Sequence, residues 1–169
     1  MKNKNPIIIV EGIDRVGKTT LCNMLSEATG FPIYKYDESV VSYDKMDNDN
    51  ETDKMRQLIK LHELTNAGGV IFDRFHMSDF VYGILNRKYC TLHARDNLLL
   101  IDSDLSATEA IVILVDPVDI KYSSDMHGSD LSMHCLFFSY AFLKSKCCTL
   151  ATDYNHLDAC VNCVKELIE

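Results

Sequence analysis

The chain has 169 residues, of which 47 % are hydrophobic and 25 % charged, and its formal net charge is −8. That length and mix suit one ordinary domain with a core of its own, and they exclude disordered and fibrous classes. The negative charge repels a polyphosphate duplex at long range, so nucleic acid is not the expected partner, although a small anion can still be held locally.

Met1 to Asn5 lacks the apolar run of a signal peptide. The longest apolar runs, such as Ala110 to Val115, have strand length rather than bilayer length. The expectation is a cytoplasmic protein without a membrane segment. Pro6 to Val10 (PIIIV) is the first strand candidate, and a helix is predicted over Lys18 to Thr29. Further strands are predicted at Pro32 to Tyr36, Gly69 to Phe72, Ala110 to Val115 and Cys148 to Thr152. Further helices are predicted at Thr52 to Asn66, Ser78 to Leu85, Leu92 to Asp102, Leu131 to Ser145 and Leu157 to Ile168. Three of the strands are apolar on both faces, which points to helices above and below and so to a parallel sheet in an α/β domain. The acid-rich stretch from Asp37 to Met55 reads as a solvated loop running into a helix capped by Thr52 or Asp53. Leu131 to Lys146 is apolar on nearly every face, which predicts a buried helix; its Phe and Met residues leave a dimer contact open. There is no internal repeat and no linker, so one domain over 1–169 is expected.

Seven cysteines, an odd number without a secretion signal, argue for free thiols rather than a disulfide framework. Cys160 and Cys163 have C-x-x-C spacing and with Cys147 and Cys148 offer a zinc site. The blander reading is that the first pair opens a buried strand while the second packs on an amphipathic helix.

One stretch is not explained by packing. After the apolar strand come Glu11, Gly12, Asp14, Arg15, Gly17 and Lys18, and Gly12 to Thr19 satisfies G-x-x-x-x-G-K-[ST], the phosphate-binding loop. Gly12 and Gly17 let the backbone N–H groups of Ile13, Val16 and their neighbours curl around an anion. Lys18 brings a point charge to the terminal phosphates, and the Thr19 hydroxyl helps hold Mg²⁺. The helix that starts near Lys18 adds its positive end. Asp14 would be repelled by phosphates, so it is expected to meet a hydroxyl or the Mg²⁺ hydration shell; Arg15 can place a planar fork on a transferring phosphoryl group. Both could instead face solvent. Further along, the strand before Asp73 ends in that acid and continues at once with Arg74. An acid at the carboxyl end of a neighbouring parallel strand is placed to meet Mg²⁺, and Arg74 is suited to a second phosphate.

EGIDRVGKTT (Glu11 to Thr20) resembles the phosphate loop of thymidylate kinases, notably those with arginine inside the loop, and DRFHMSDFVYG (Asp73 to Gly83) resembles their DR motif with its following serine. The resemblance implies a P-loop three-layer α/β fold: a five-stranded parallel sheet flanked by helices, with the phosphate-loop strand central. It also implies ATP and Mg²⁺ as cofactors and phosphate transfer to dTMP. Gly12 through Thr20 would hold ATP, with Lys18 and Arg15 on the donor phosphates and Thr19 and Asp73 on the metal. Arg74 would take the acceptor phosphate, Asp14 the sugar or the catalytic geometry, and Ser78 and Tyr82 would lie on the acceptor side. Such enzymes read the base from the helix before the DR strand, where Arg56 and Gln57 fall. They close a lid after the fourth strand, here Asp119 to Asp130, whose lack of arginine suits a loop that carries Arg15. The chain departs from the family in lacking the glycine-rich segment after the second strand. That departure feeds a rival reading, a deoxynucleoside kinase with Asp37 or Glu38 as general base for a 5′-hydroxyl. A third reading is a nucleotide-binding regulator without turnover.

Overall fold

Ile7, Ile8, Ile9 and Val10 have no solvent exposure, which a strand achieves only when both of its faces and both of its edges are covered. The computed structural model, which describes residues 5–35, 48–65, 68–86, 91–117 and 128–169, shows how. Strand β1 (Ile7–Glu11) lies in the middle of a five-stranded sheet of order β2-β3-β1-β4-β5, where β2 is Ile33–Lys35, β3 Val70–Asp73, β4 Ile111–Asp116 and β5 Cys148–Asp153. Every pairing is parallel. The helices are α1 (Lys18–Thr29), α2 (Asn48–Thr65), α3 (His76–Asn86), α4 (Thr91–Ala107), α5 (Gly128–Leu143) and α6 (Leu157–Ile168). They pack in two groups, α1 with α6, and α2 to α5 together through α2–α4, α3–α4 and α3–α5 contacts. Since β1 is covered from both sides, the two groups occupy opposite faces of the sheet. Each buried isoleucine of β1 contributes about 1.5–3 kcal/mol by leaving water, so the strand that delivers the loop is firmly anchored.

The α/β sheet with a central phosphate-loop strand is as the sequence implies, and α1 and α6 keep their expected bounds. Three expectations need correction. Helix α2 starts at Asn48, ahead of the expected cap at Thr52 or Asp53, because Asp49 and Glu51 in its first turn complement the positive helix end. Cys148 to Thr152 is not a buried strand: β5 is an edge of the sheet, with Cys148 and Ala151 exposed. Helix α5 is not buried all round either; Phe137, Tyr140 and Ala141 face the core while Phe138 and Cys135 face solvent.

The four cysteines weighed as a zinc site are spread over the loop before β5, β5 itself and α6, and no cluster of three or more ligating side chains occurs among the described residues. The expected lid falls outside the described residues as far as 127, and its last three positions open α5. Asp37 and Glu38 also lie outside them. No helix among the described residues is long and apolar enough to cross a membrane.

Candidate active site

The site is built where β1 and β3 end. β1 hands the chain to Gly12, whose φ of 137° suits glycine alone and whose missing side chain matters equally: a Cβ there would lie 2.5 Å from the Val115 carbonyl oxygen of β4. The loop is pinned by Ile13 and Val16, both buried. It ends at Gly17, φ 98°, where a Cβ would meet the Tyr154 ring at 2.6 Å. Helix α1 starts directly after, without a side-chain cap. Its first N–H groups therefore keep their capacity for an anion.

Lys18 is only 6 % exposed and its ammonium donates to the Ile13 carbonyl across the loop. Burial, and next the charge of Arg74, bring its pKa down to about 8, against the opposing pull of Asp14, Glu11 and Asp73. A second anion in the loop would reverse that drop, so the charge is poised for a ligand. Thr19 Oγ1 donates to Asp73 Oδ2 at 3.0 Å, which joins the loop to the end of β3. The carboxyl end of β3 is held in register by the pairing of Asp73 with Val10 and by Arg74 N–H donating to the Val10 carbonyl at 3.0 Å.

Arg74 has φ 71° and Arg15 φ 65°, left-handed conformations that cost a non-glycine residue about 1 kcal/mol or more each. Both turns aim a guanidinium at the same cleft. Arg74 forms an ion pair with Asp14 of the loop and lies 5.2 Å over the Tyr82 ring. The cleft, of about 500 Å³, is lined by Asp14, Arg15, Gly17, Lys18, Thr19, Thr20, Asp73 and Arg74, together with Lys35 and Tyr154. Residues separated by more than fifty positions thus converge. A cavity of about 560 Å³ beside β5 and α6, lined by Asp116, His134 and Cys160 among others, has no lysine or arginine among its described lining residues, and that lining is mostly apolar.

Not every expected residue is there. Arg56 and Gln57 do lie on the helix before β3, but Arg56 is tied to Asp104 of α4 at 2.6 Å and neither lines the cleft. Ser78 is buried, and its hydroxyl donates to Glu11 rather than facing the cleft. Tyr82 is half-buried beneath the Arg74 guanidinium. His76 is buried against Asp102 and Tyr140, in line with a packing role.

Three residues escaped sequence reasoning. Lys35, at the end of β2 and in register with Asp73, adds a cation to the cleft wall. Tyr154, in the 3-10 turn after β5, lies against Gly17. Glu11 is wholly buried yet accepts from Phe75 N–H at 2.9 Å, Met77 N–H at 3.1 Å, Ser78 N–H at 3.3 Å and the Ser78 hydroxyl. The only sequence signal for it was an acid closing an apolar strand just before Gly12.

The fold is shared with solved proteins. The chain superposes on the YorR protein of Bacillus subtilis, solved in complex with phosphorylated GDP, with a TM-score of 0.68 at 24 % identity, covering 96 % of this chain and 95 % of that one. The fold shared with that protein is a five-stranded parallel sheet between helices. A thymidylate kinase from Ehrlichia chaffeensis gives a TM-score of 0.58 at 17 % identity, over 98 % of this chain and all of that one. NadR, solved in complex with NAD and AMP-PNP, gives 0.60 at 15 % identity, with 98 % of this chain spanning half of that one. At such identities the likeness establishes the fold. No family model matches the sequence, and a search of curated proteins finds no match.

Proposed function

We propose that this chain is a single-domain nucleoside monophosphate kinase that uses ATP and Mg²⁺ to phosphorylate a deoxynucleoside monophosphate, dTMP foremost. The observation that carries the reading is the presence of cations on both walls of one cleft: Arg15 and Lys18 on the loop, Arg74 and Lys35 opposite. A protein that only holds a triphosphate has use for the first wall; the second suits an acceptor that is itself a phosphate ester. The loop fits a triphosphate because Gly12 and Gly17 adopt the positive φ that its bend needs, and its lysine is already buried there. Thr19 and Asp73 fit Mg²⁺, which keeps most of its waters and asks one or two protein oxygens at most. The metal, when bound, supplies charge neutralisation between the terminal phosphates.

Catalysis is then a matter of placement and electrostatics. Lys18 and the N-terminus of α1 offset the charge of the donor. Arg15 bridges toward the transferring group. The acceptor phosphate takes the Arg74 fork from Asp14, which frees that carboxylate to turn toward a sugar hydroxyl. The phosphate oxygens of the acceptor are already anionic nucleophiles at neutral pH, so no general base is needed. The preference for dTMP rests on the resemblance of the two motifs and is supported by thymidylate kinases among the structural neighbours.

Coupled measurement of ADP release against a panel of deoxynucleosides and their monophosphates tests the reading. Turnover with monophosphates, dTMP foremost, is expected. Turnover confined to nucleosides would make the chain a nucleoside kinase, and ATP binding with no turnover on any acceptor would make it a regulator.

A further inference from the structure

Glu11 is one residue from the phosphate loop, yet its carboxylate does not face the cleft. It is buried under the turn that follows β3, where one oxygen accepts from the N–H groups of Phe75, Met77 and Ser78 and the other from the Ser78 hydroxyl. A carboxylate without solvent is costly unless its lone pairs are filled, and here four donors fill them. Three of the donors are backbone N–H groups at or just before the start of α3, so Glu11 caps a helix from a different strand.

The cap has a consequence for Arg74, which stands immediately before the first capped residue. Its backbone is left-handed, and such a conformation persists only where its surroundings over-determine it. Two neighbours in β1 do so: the Val10 carbonyl fixes the N–H of Arg74, and Glu11 fixes the N–H of Phe75. The strand that delivers the donor loop therefore also sets the angle at which Arg74 enters the cleft. We propose that Glu11 is a positioning residue that holds Arg74 for the acceptor phosphate and so couples the two halves of the site. This rests on the reading of Arg74 as the acceptor-phosphate ligand.

Replacing Glu11 lets the turn relax and moves the guanidinium. Displacements on the order of 1 Å in such groups cost up to about 100-fold in rate. Glu11→Gln is the gentle variant, because its carbonyl can still accept from the three N–H groups while its amide donates to Ser78 Oγ; only the charge assistance is lost. Glu11→Ala removes the cap. Ser78→Ala removes one of the four bonds.

The experiment measures acceptor KM, kcat and ATP Kd for Glu11→Gln, Ser78→Ala and Arg74→Ala, and for Glu11→Gln combined with Arg74→Ala, with Glu11→Ala added if it folds. We expect acceptor KM to rise several-fold in Glu11→Gln and by about 10-fold or more in Glu11→Ala, with ATP Kd unchanged in both. In the Arg74→Ala background, Glu11→Gln should add nothing further. A purely structural role would instead lower thermal stability and disturb both substrates alike. An acceptor KM within twofold of wild type in Glu11→Gln, or a Glu11→Gln effect undiminished without Arg74, overturns the proposal. If Arg74→Ala itself leaves acceptor KM unchanged, the acceptor-site reading fails on its own, whatever Glu11 does.

Discussion

Lys18→Met separates the ligand's requirements from those of the fold. In the free protein Lys18 is an almost fully buried ammonium whose pKa falls from the usual 10.5 to about 8. At about 1.36 kcal/mol per pH unit, that drop corresponds to a cost of about 3 kcal/mol for keeping the charge at neutral pH. The hydrogen bond to the Ile13 carbonyl returns about 1 kcal/mol. Methionine has a similar shape without the charge, so Lys18→Met should be more stable than wild type by about 2 kcal/mol at pH 7, or roughly 5 °C in Tm. The sign with pH is fixed by the direction of the shift. Because the folded pKa lies below the unfolded one, the cost is fully present below pH 8 and fades as pH rises from 8 toward 10.5. The gap between variant and wild type should close over that window. Chemical denaturation of both proteins at pH 7 and pH 10, without nucleotide, measures it. Saturating ATP should reverse the order at pH 7, since only the wild type binds well. A Lys18→Met protein less stable than wild type at pH 7, or a gap insensitive to pH, would refute the account of Lys18 as a charge held in reserve for phosphate.

Arg74→Ala should raise the acceptor KM and lower kcat by about 10- to 100-fold with ATP affinity little changed, as steady-state kinetics with each substrate varied will show; an effect confined to ATP would contradict its role. Lys35→Ala should raise the acceptor KM by a few-fold, and the difference should shrink in 0.5 M salt because the lysine is exposed; identical KM values at low salt would remove Lys35 from the site. Gly12→Ala, which drives a Cβ against the backbone of β4 at a positive φ, should cost about 2 kcal/mol or more of stability in urea titrations, and an unaltered midpoint would mean that the loop leaves the sheet differently. Glu38→Gln should keep near-normal turnover on a monophosphate, whereas near-total loss would point to the nucleoside kinase.

The parts of the site that were legible in the sequence are those fixed by local chemistry. Gly12, Gly17, Lys18 and Thr19 form one turn, and Asp73 with Arg74 closes one strand, so each group could be recognised without knowing the sheet. Their convergence followed from parallel topology, which puts every strand's carboxyl end on the same side. What stayed hidden depends on long-range contact. An apolar strand has the same composition at the edge as in the middle, so the exposure of β5 could not be read from its residues. Helix α3 starts before Ser78, with Glu11 from sixty-odd positions away accepting from its first N–H groups, and Phe75 just ahead of it is not a residue type that signals a helix start. Lys35 and Tyr154 owe their place in the cleft to the register of β2 with β3 and to the turn after β5. Arg56 marks the limit from the other side, since helix position alone does not say that its guanidinium lies against Asp104.

A bisubstrate ligand in which adenosine and thymidine are joined by an oligophosphate long enough to span donor and acceptor tests the central claim most directly. Calorimetry should show one equivalent bound per chain, displaced by ATP and by dTMP alike, with binding lost in Lys18→Ala and weakened in Arg74→Ala. A ligand displaced by ATP but indifferent to dTMP, and unaffected by loss of Arg74, would mean that the second wall of the cleft receives no acceptor.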